Sequence, residues 1–498
     1  MTRVFLAHLL CVVMALPPVS WAAANDTLPE LGDAGGAAIS RDQEYQLGRM
    51  IMRQLRDSGA LLEDPTTEDY IQSIGSKLAS RAHEGQHKFN FFVVDDPSIN
   101  AFALPGGFIG VHYGLILATR SESELAGVLA HEVSHVTQKH IARYIESSGQ
   151  VSLVTTAAIL AAIIMGGVTG AGPDAIQAAL SVAQGAAIQS QINFTRSNEY
   201  EADRIGIGLL ADAGFDTRGM AAFFETIARQ SGSSINGIPD FLKTHPVTSE
   251  RIAEAKNRAS LMPVVDTGSS LEWELARARL RALTVELVDQ AVDHFASLIP
   301  ANRADWKESD RYGYALALLE ARRHEQAVTE FRWLLDRRES VIAYHTGLAR
   351  AQLGAGQTDQ AMATFENAAR LFPRNVSLVT YYGRALIQTG DAEKAHDILL
   401  DLVNNLNYTP SQVRLLALAA SAAGDTADAH YYMSEVHVLS GELRLAIGQL
   451  DLALASPDLD DVQRARFRAR LDEIREHIPR KGRQRKKEPE NQQAKKLF

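Results

Sequence analysis

Apolar residues recur at helical spacing from Arg41 to Asp57, where Tyr45, Leu47, Ile51 and Leu55 mark one face. They do so again from Thr66 to Ala82, where Tyr70, Ile74 and Leu78 stand four apart. The period then changes. Phe89 to Val94 and Phe108 to His112 read as short strands around the segment Asn100-Ala101-Phe102-Ala103-Leu104-Pro105-Gly106-Gly107. Ser121 with Glu124 three residues later makes a capping box, so a helix is expected from Glu122 to about Glu146. These elements predict a small, mostly helical α+β domain. Residues 151–192 are rich in Ala, Ile and Val, and Val151 to Val168 is uncharged. The glycines that follow and the glutamines of the second half favour buried helices or a hairpin over the site rather than a membrane span. Peripheral contact with a membrane surface stays compatible with this stretch.

From about Leu271 the pattern becomes Ala- and Leu-rich helix with a repeat. Ala327, Ala361, Ala395 and Ala429 recur every 34 residues, and Gly356, Gly390 and Gly424 keep the same period. A 34-residue period of paired helices is the tetratricopeptide (TPR) signature, so an all-α superhelix is expected here. Leu459 to Ile478 reads as an amphipathic helix, with Val462, Phe467, Leu471 and Ile474, that covers the open end of the array.

Composition changes this picture in three ways. The chain has 498 residues, room for several domains, and a net charge of −10. Residues 480–498 hold eight Lys and Arg against two Glu, so the remaining body is more acidic still and repels nucleic acid. Arg3, the apolar run Val4 to Leu16, and the small residues up to Ala24 together describe a secretory signal peptide, too short for a membrane anchor. The only cysteine, Cys11, lies inside that run, so the mature chain must bind any metal through His, Asp or Glu. The expected division is signal peptide 1–24, linker 25–40, catalytic domain 41–262, repeat domain 263–455, capping helix 456–479 and basic tail 480–498.

The candidate chemistry sits in the capped helix. His131-Glu132-Val133-Ser134-His135 is an HExxH motif. Four residues advance a helix by little more than one turn, so His131 and His135 face the same way and can bind one Zn²⁺. Glu132 lies beside them, placed to take a proton from a water that the ion activates. A third ligand is needed. His140, five residues past His135 on a continuous helix, would lie off the metal face and reads as a bystander. A carboxylate from a second helix is the other route, and Asn198-Glu199-Tyr200-Glu201-Ala202-Asp203 opens one.

With Glu199 and Asp203 in ExxxD spacing after HExxH, the chain resembles the HtpX-like and CAAX-prenyl-protease-like zinc metallopeptidases. The resemblance implies that Glu199 is the third ligand of one Zn²⁺ per chain and that Asp203 orients a ligand histidine; Glu201 is the alternative ligand. It also extends to Asn100, Ala101, Phe102 and Ala103, which imply an edge strand that binds substrate. Thr244-His245-Pro246 with Arg251-Ile252 extends it further. There His245 either stabilises the oxyanion or caps the metal and holds the enzyme latent, and Arg251 falls among the substrate-binding residues.

The signal peptide, catalytic domain and TPR array in one chain are similar to the periplasmic β-barrel assembly-enhancing branch of that family. The likeness implies a zincin-like endopeptidase in the periplasm of a Gram-negative bacterium. Unfolded or misassembled outer-membrane proteins would be its substrates, and the β-barrel assembly machinery would be bound through the TPR face. The alternative is a TPR chaperone or scaffold whose protease site stays shut.

Overall fold

The computed structural model describes residues 40–82, 88–147, 196–233, 239–265, 268–298, 307–406, 408–457 and 459–476. The expected signal segment, nearly all of the linker, the stretch 151–192 and the basic tail lie outside the described residues.

Helix α1 (Arg41–Asp57) starts at Ser40. The Ser40 hydroxyl accepts the Gln43 N–H and the Gln43 side chain accepts the Ser40 N–H, so two otherwise unpaired donors are satisfied reciprocally. Helix α2 (Pro65–Ala79) is capped by Asp64 and has proline in its first turn, where a missing N–H costs nothing. Three strands follow, β1 (Asn90–Val94), β2 (Ala101–Leu104) and β3 (Phe108–His112), in the order β1-β3-β2. β1 runs parallel to β3, with Asn90 opposite Phe108; β2 runs antiparallel to it, with Ala101 opposite Val111.

Both faces of the sheet are covered. Ile109 and Val111 pack with Ile71, Ile74, Leu125 and Leu129 in the main core, while Phe108 joins Leu47, Ile51 and Leu55 of α1 in a second one. A strand buried on both sides has no polar face, which is why β1 and β3 read as unbroken apolar runs.

After α3 (Tyr113–Ala118), the main core closes around α4 (Glu122–Thr137), whose residues are almost all buried. The single helix expected to reach Glu146 is broken: α4 ends at Thr137, Lys139 adopts a left-handed conformation (φ 52°), and α5 (His140–Ser147) starts anew. Helices α6 (Arg196–Asp212), α7 (Arg218–Ser233), α8 (Asp240–Thr244) and α9 (Ser249–Ser260) complete this part, with α6 and α7 packed along α4.

The rest is helical hairpins: α10 (Leu271–Leu283), α11 (Val288–Ser297), α12 (Glu308–Glu320), α13 (His324–Arg337), α14 (Ile342–Gly354), α15 (Thr358–Leu371), α16 (Val376–Thr389), α17 (Ala392–Asn405), α18 (Pro410–Ala422), α19 (Thr426–Leu439) and α20 (Leu443–Leu454). The 34-residue period has a physical cause at two positions. Ala327, Ala361 and Ala395 are fully buried where neighbouring helices meet. Gly356, Gly390 and Gly424 follow α14, α16 and α18 with φ of 76°, 91° and 89°, the left-handed turn that side chains resist. Helix α21 (Asp461–Glu476) closes the array by packing Phe467, Leu471 and Ile474 against Ala446, Leu450 and Ala453. Val462, expected on that apolar face, is instead exposed, because at 3.6 residues per turn it stands roughly 120–180° around the helix from Phe467, Leu471 and Ile474.

The repeats fold back on the first domain. Arg279 of α10 forms a two-pronged ion pair with Asp64 and also donates to the Tyr312 and Tyr381 hydroxyls, while Arg49 of α1 donates to the Leu439 carbonyl.

Candidate metal centre

Three segments far apart in sequence converge on α4. His131 and His135 are one turn apart and fully buried, with their Nε2 atoms 2.9 Å from each other. Helix α6 brings Glu199 to within 3.5 Å of His131 Nε2 and 3.4 Å of His135 Nε2. It comes this close because Gly206 faces α4: a Cβ there would lie 3.2 Å from the His131 backbone nitrogen. The third segment is the end of α8, where His245 turns its Nδ1 to 3.3 Å from His131 Nε2 and 3.2 Å from Glu199. Its ring lies against Phe241.

One donor atom from each of His131, His135, Glu199 and His245 lies within 4.8 Å of the others, a group that could hold a metal ion. Its chemistry fits one. Ligands about 2.0–2.2 Å from a tetrahedral ion stand roughly 3.3–3.6 Å apart, and four of the five separations above, 3.2–3.5 Å, lie near that range. Electrostatics differ from ring to ring. Burial opposes a charge on His131, but Asp203 and Glu199 outweigh it and hold the ring at about 10. Burial and the neighbouring His131 push His135 well below its ordinary value. Burial would raise Glu199, yet the surrounding imidazoles hold it well below the usual carboxylate range. The two acids thus favour positive charge on His131, whereas burial and His131 disfavour it on His135.

Behind the donors lies a second layer. Asp203, one turn after Glu199, places Oδ1 2.9 Å from His131 Nδ1 and so fixes that ring with Nε2 facing inward. Arg251, from the start of α9, donates to both Asp203 oxygens at 2.8 Å and lies 2.8 Å from Glu199. It was expected at the substrate. It is instead almost fully buried, and the nitrogen beside Glu199 also donates to the Pro246 carbonyl, an arrangement that favours the ionised form of both acids and holds them in place.

Glu132 differs from all of these. It is fully buried, neither oxygen has a side-chain hydrogen-bond partner, and His245 Nε2 lies 3.5 Å from one of them. Burial raises its pKa against the opposing pull of His245, His131 and the Ala103 backbone. Ala103 belongs to β2, which pairs only with β3 among the described strands and packs on α4. The other edge of Ala101, Phe102 and Ala103 is thus free of strand pairing, and Asn100 just before them has a buried, unpartnered Oδ1.

The sequence signature of peptidase family M48 matches residues 65–259, and a tetratricopeptide repeat signature matches residues 352–417. The chain is 34% identical over 472 residues to the putative beta-barrel assembly-enhancing protease of Vibrio cholerae serotype O1, covering 94% of this chain and 96% of that protein. This chain belongs to peptidase family M48. To the beta-barrel assembly-enhancing protease of Escherichia coli (strain K12), this M48 chain is also 34% identical, over 462 residues, covering 92% of this chain and 93% of that protein. A mitochondrial metalloendopeptidase of Arabidopsis thaliana is 31% identical over 222 residues, 44% of this chain and 42% of that protein.

The M48 chain is therefore a metalloprotease; its family implies a metal, and the His/Glu cluster is a group that could hold one. His140 stays outside the donor group, as expected, but it is not remote from it: its Nδ1 lies 2.7 Å from His135 Nδ1 and its Nε2 3.2 Å from Glu201. The break at Lys139 swings it back across the end of α4, a turn that periodicity along one helix cannot reveal. Glu201, the alternative ligand, faces away from the cluster and is about a third exposed.

Proposed function

We propose that this chain is a zinc endopeptidase of the Gram-negative cell envelope whose site is held in a latent state. His131, His135 and Glu199 would hold Zn²⁺, with Asp203 and Arg251 behind them. When bound, zinc supplies Lewis acidity, making water more acidic and polarising the scissile carbonyl. Glu132 accepts the proton of the attacking water and returns it to the leaving amine; its raised pKa and unpartnered carboxylate suit that exchange. An extended substrate adds as a strand along the free edge of β2, gripped through backbone at Ala101, Phe102 and Ala103, with Asn100 at its end. His245 is the latch. Its Nδ1 stands among the other three donors, in the position that catalysis needs open, so it must withdraw before substrate can react.

The observation that carries this reading is the convergence of four donors around one point beside a buried carboxylate with no side-chain partner. Glu132→Gln should keep stoichiometric zinc and lower cleavage of an unfolded protein by about 10²–10⁴-fold. Undiminished cleavage would refute the role of Glu132. The names of the two long relatives support outer-membrane proteins as substrates and the β-barrel assembly machinery as the partner of the TPR array. The leader at residues 1–24 supports export to the periplasm. Rescue of outer-membrane assembly in cells lacking the protein, by wild type and not by a chain cut after residue 262, tests that assignment.

A further inference from the structure

The two metal-facing histidines are held from behind in different ways. His131 Nδ1 meets a carboxylate directly, the buried Asp203. His135 Nδ1 meets another imidazole, His140, at 2.7 Å, and His140 Nε2 meets Glu201 at 3.2 Å, which Arg143 also contacts. Proton positions along this chain follow from its far end. If His135 turns its Nε2 lone pair to the ion, its Nδ1 carries the hydrogen and donates. His140 Nδ1 must then accept, so His140 is neutral with its hydrogen on Nε2, pointing at the Glu201 carboxylate. A doubly protonated His140 would set two N–H groups against each other.

We propose that His140 and Glu201 are positioning residues that fix His135 in its metal-binding tautomer and orientation, a relay of His135 to His140 to Glu201. This rests on the reading of His131, His135 and Glu199 as metal ligands. The left-handed turn at Lys139 is what returns the fully buried His140 to His135.

The test is Zn²⁺ affinity of the purified mature chain, measured by competition with a chromogenic chelator. His140→Phe fills the space without an acceptor and should weaken Zn²⁺ binding by about 10–100-fold. His140→Asn restores an acceptor carbonyl and should stay within about threefold of wild type, a rescue that packing alone would not produce. Glu201→Ala, at a partly exposed position that tolerates change, should weaken binding by about three- to tenfold. Wild-type affinity in His140→Phe, or equal losses in the Phe and Asn variants, overturns the relay while leaving the ligand set standing. A wild-type chain that binds no Zn²⁺ overturns the ligand reading and the relay with it.

Discussion

Two of the buried groups of charged side chains among the described residues are built on opposite principles. At the junction between the catalytic domain and the repeats, Asp64 and Arg279 share two short hydrogen bonds, and Tyr312, Tyr381 and Thr67 take up further positions on the pair. Around α4, by contrast, imidazole nitrogens face one another at 2.9–3.3 Å and both oxygens of Glu132 lack a side-chain partner. Burying polar groups is costly unless they are satisfied, so a saturated cluster is explained by the fold it holds together. An unsaturated one needs something the chain does not itself provide: a cation, a water and a substrate.

The contrast can be broken by mutation. The largest stability effect belongs to the junction. Arg279→Ala leaves Asp64 buried and unpaired and should cost about 3–5 kcal/mol, read by denaturant unfolding. Pairing Asp64→Leu with Arg279→Met should return most of that loss; no recovery would mean that the arginine acts elsewhere. Burial alone would raise the Asp64 pKa, but Arg279 outweighs it and holds the carboxyl well below its ordinary 3.8. Such a depressed value contributes stability that is complete above 3.8 and is lost as pH falls through the lower folded value. Arg279→Ala should therefore lack the part of the acid-limb loss that Asp64 contributes in wild type.

At the metal centre the sign reverses. Replacing Glu132 with Gln removes a buried, disfavoured charge, so the metal-free variant should be as stable as wild type or about 1 kcal/mol more so, although it cannot cleave. A clear loss of stability would show that the carboxylate is structural. His245→Ala should raise basal cleavage of an unfolded substrate several-fold; a fall would overturn the latch and leave the ring serving the oxyanion. The smallest effect is expected at Glu68. Burial, with Asp64 and Glu63 nearby, lifts its pKa from 4.5 to about 7. The folded state then holds the proton more tightly, so this group's contribution falls as pH rises from 4.5 to about 7. Glu68→Gln should flatten that slope, visible as a change of a few degrees in the melting-temperature profile.

How much could be read without coordinates differs by residue. The pairs His131/His135 and Glu199/Asp203 each stand four apart on one helix, and the helix period alone puts each pair on one face. The repeat was equally legible, because buried alanines and left-handed glycines must recur wherever the same hairpin recurs. Arg251 was misjudged since nothing local distinguishes a cation facing a groove from one clamping two buried acids. The nearness of His140 to His135 was missed by extending α4 through Lys139, a residue with no intrinsic preference for the left-handed turn it makes.

Periodicity along the chain was enough to place most helices and strands, the repeat, and the pairs His131/His135 and Glu199/Asp203 on shared helical faces, because backbone geometry sets those relations over a few residues. Only the tertiary structure decided which carboxylate meets the two imidazoles, that His245 stands among them, and that His140 and Arg251 brace them from behind. Those outcomes depend on how closely α4, α6, α8 and α9 approach. That approach is governed by packing between segments up to 120 positions apart, where periodicity carries no information.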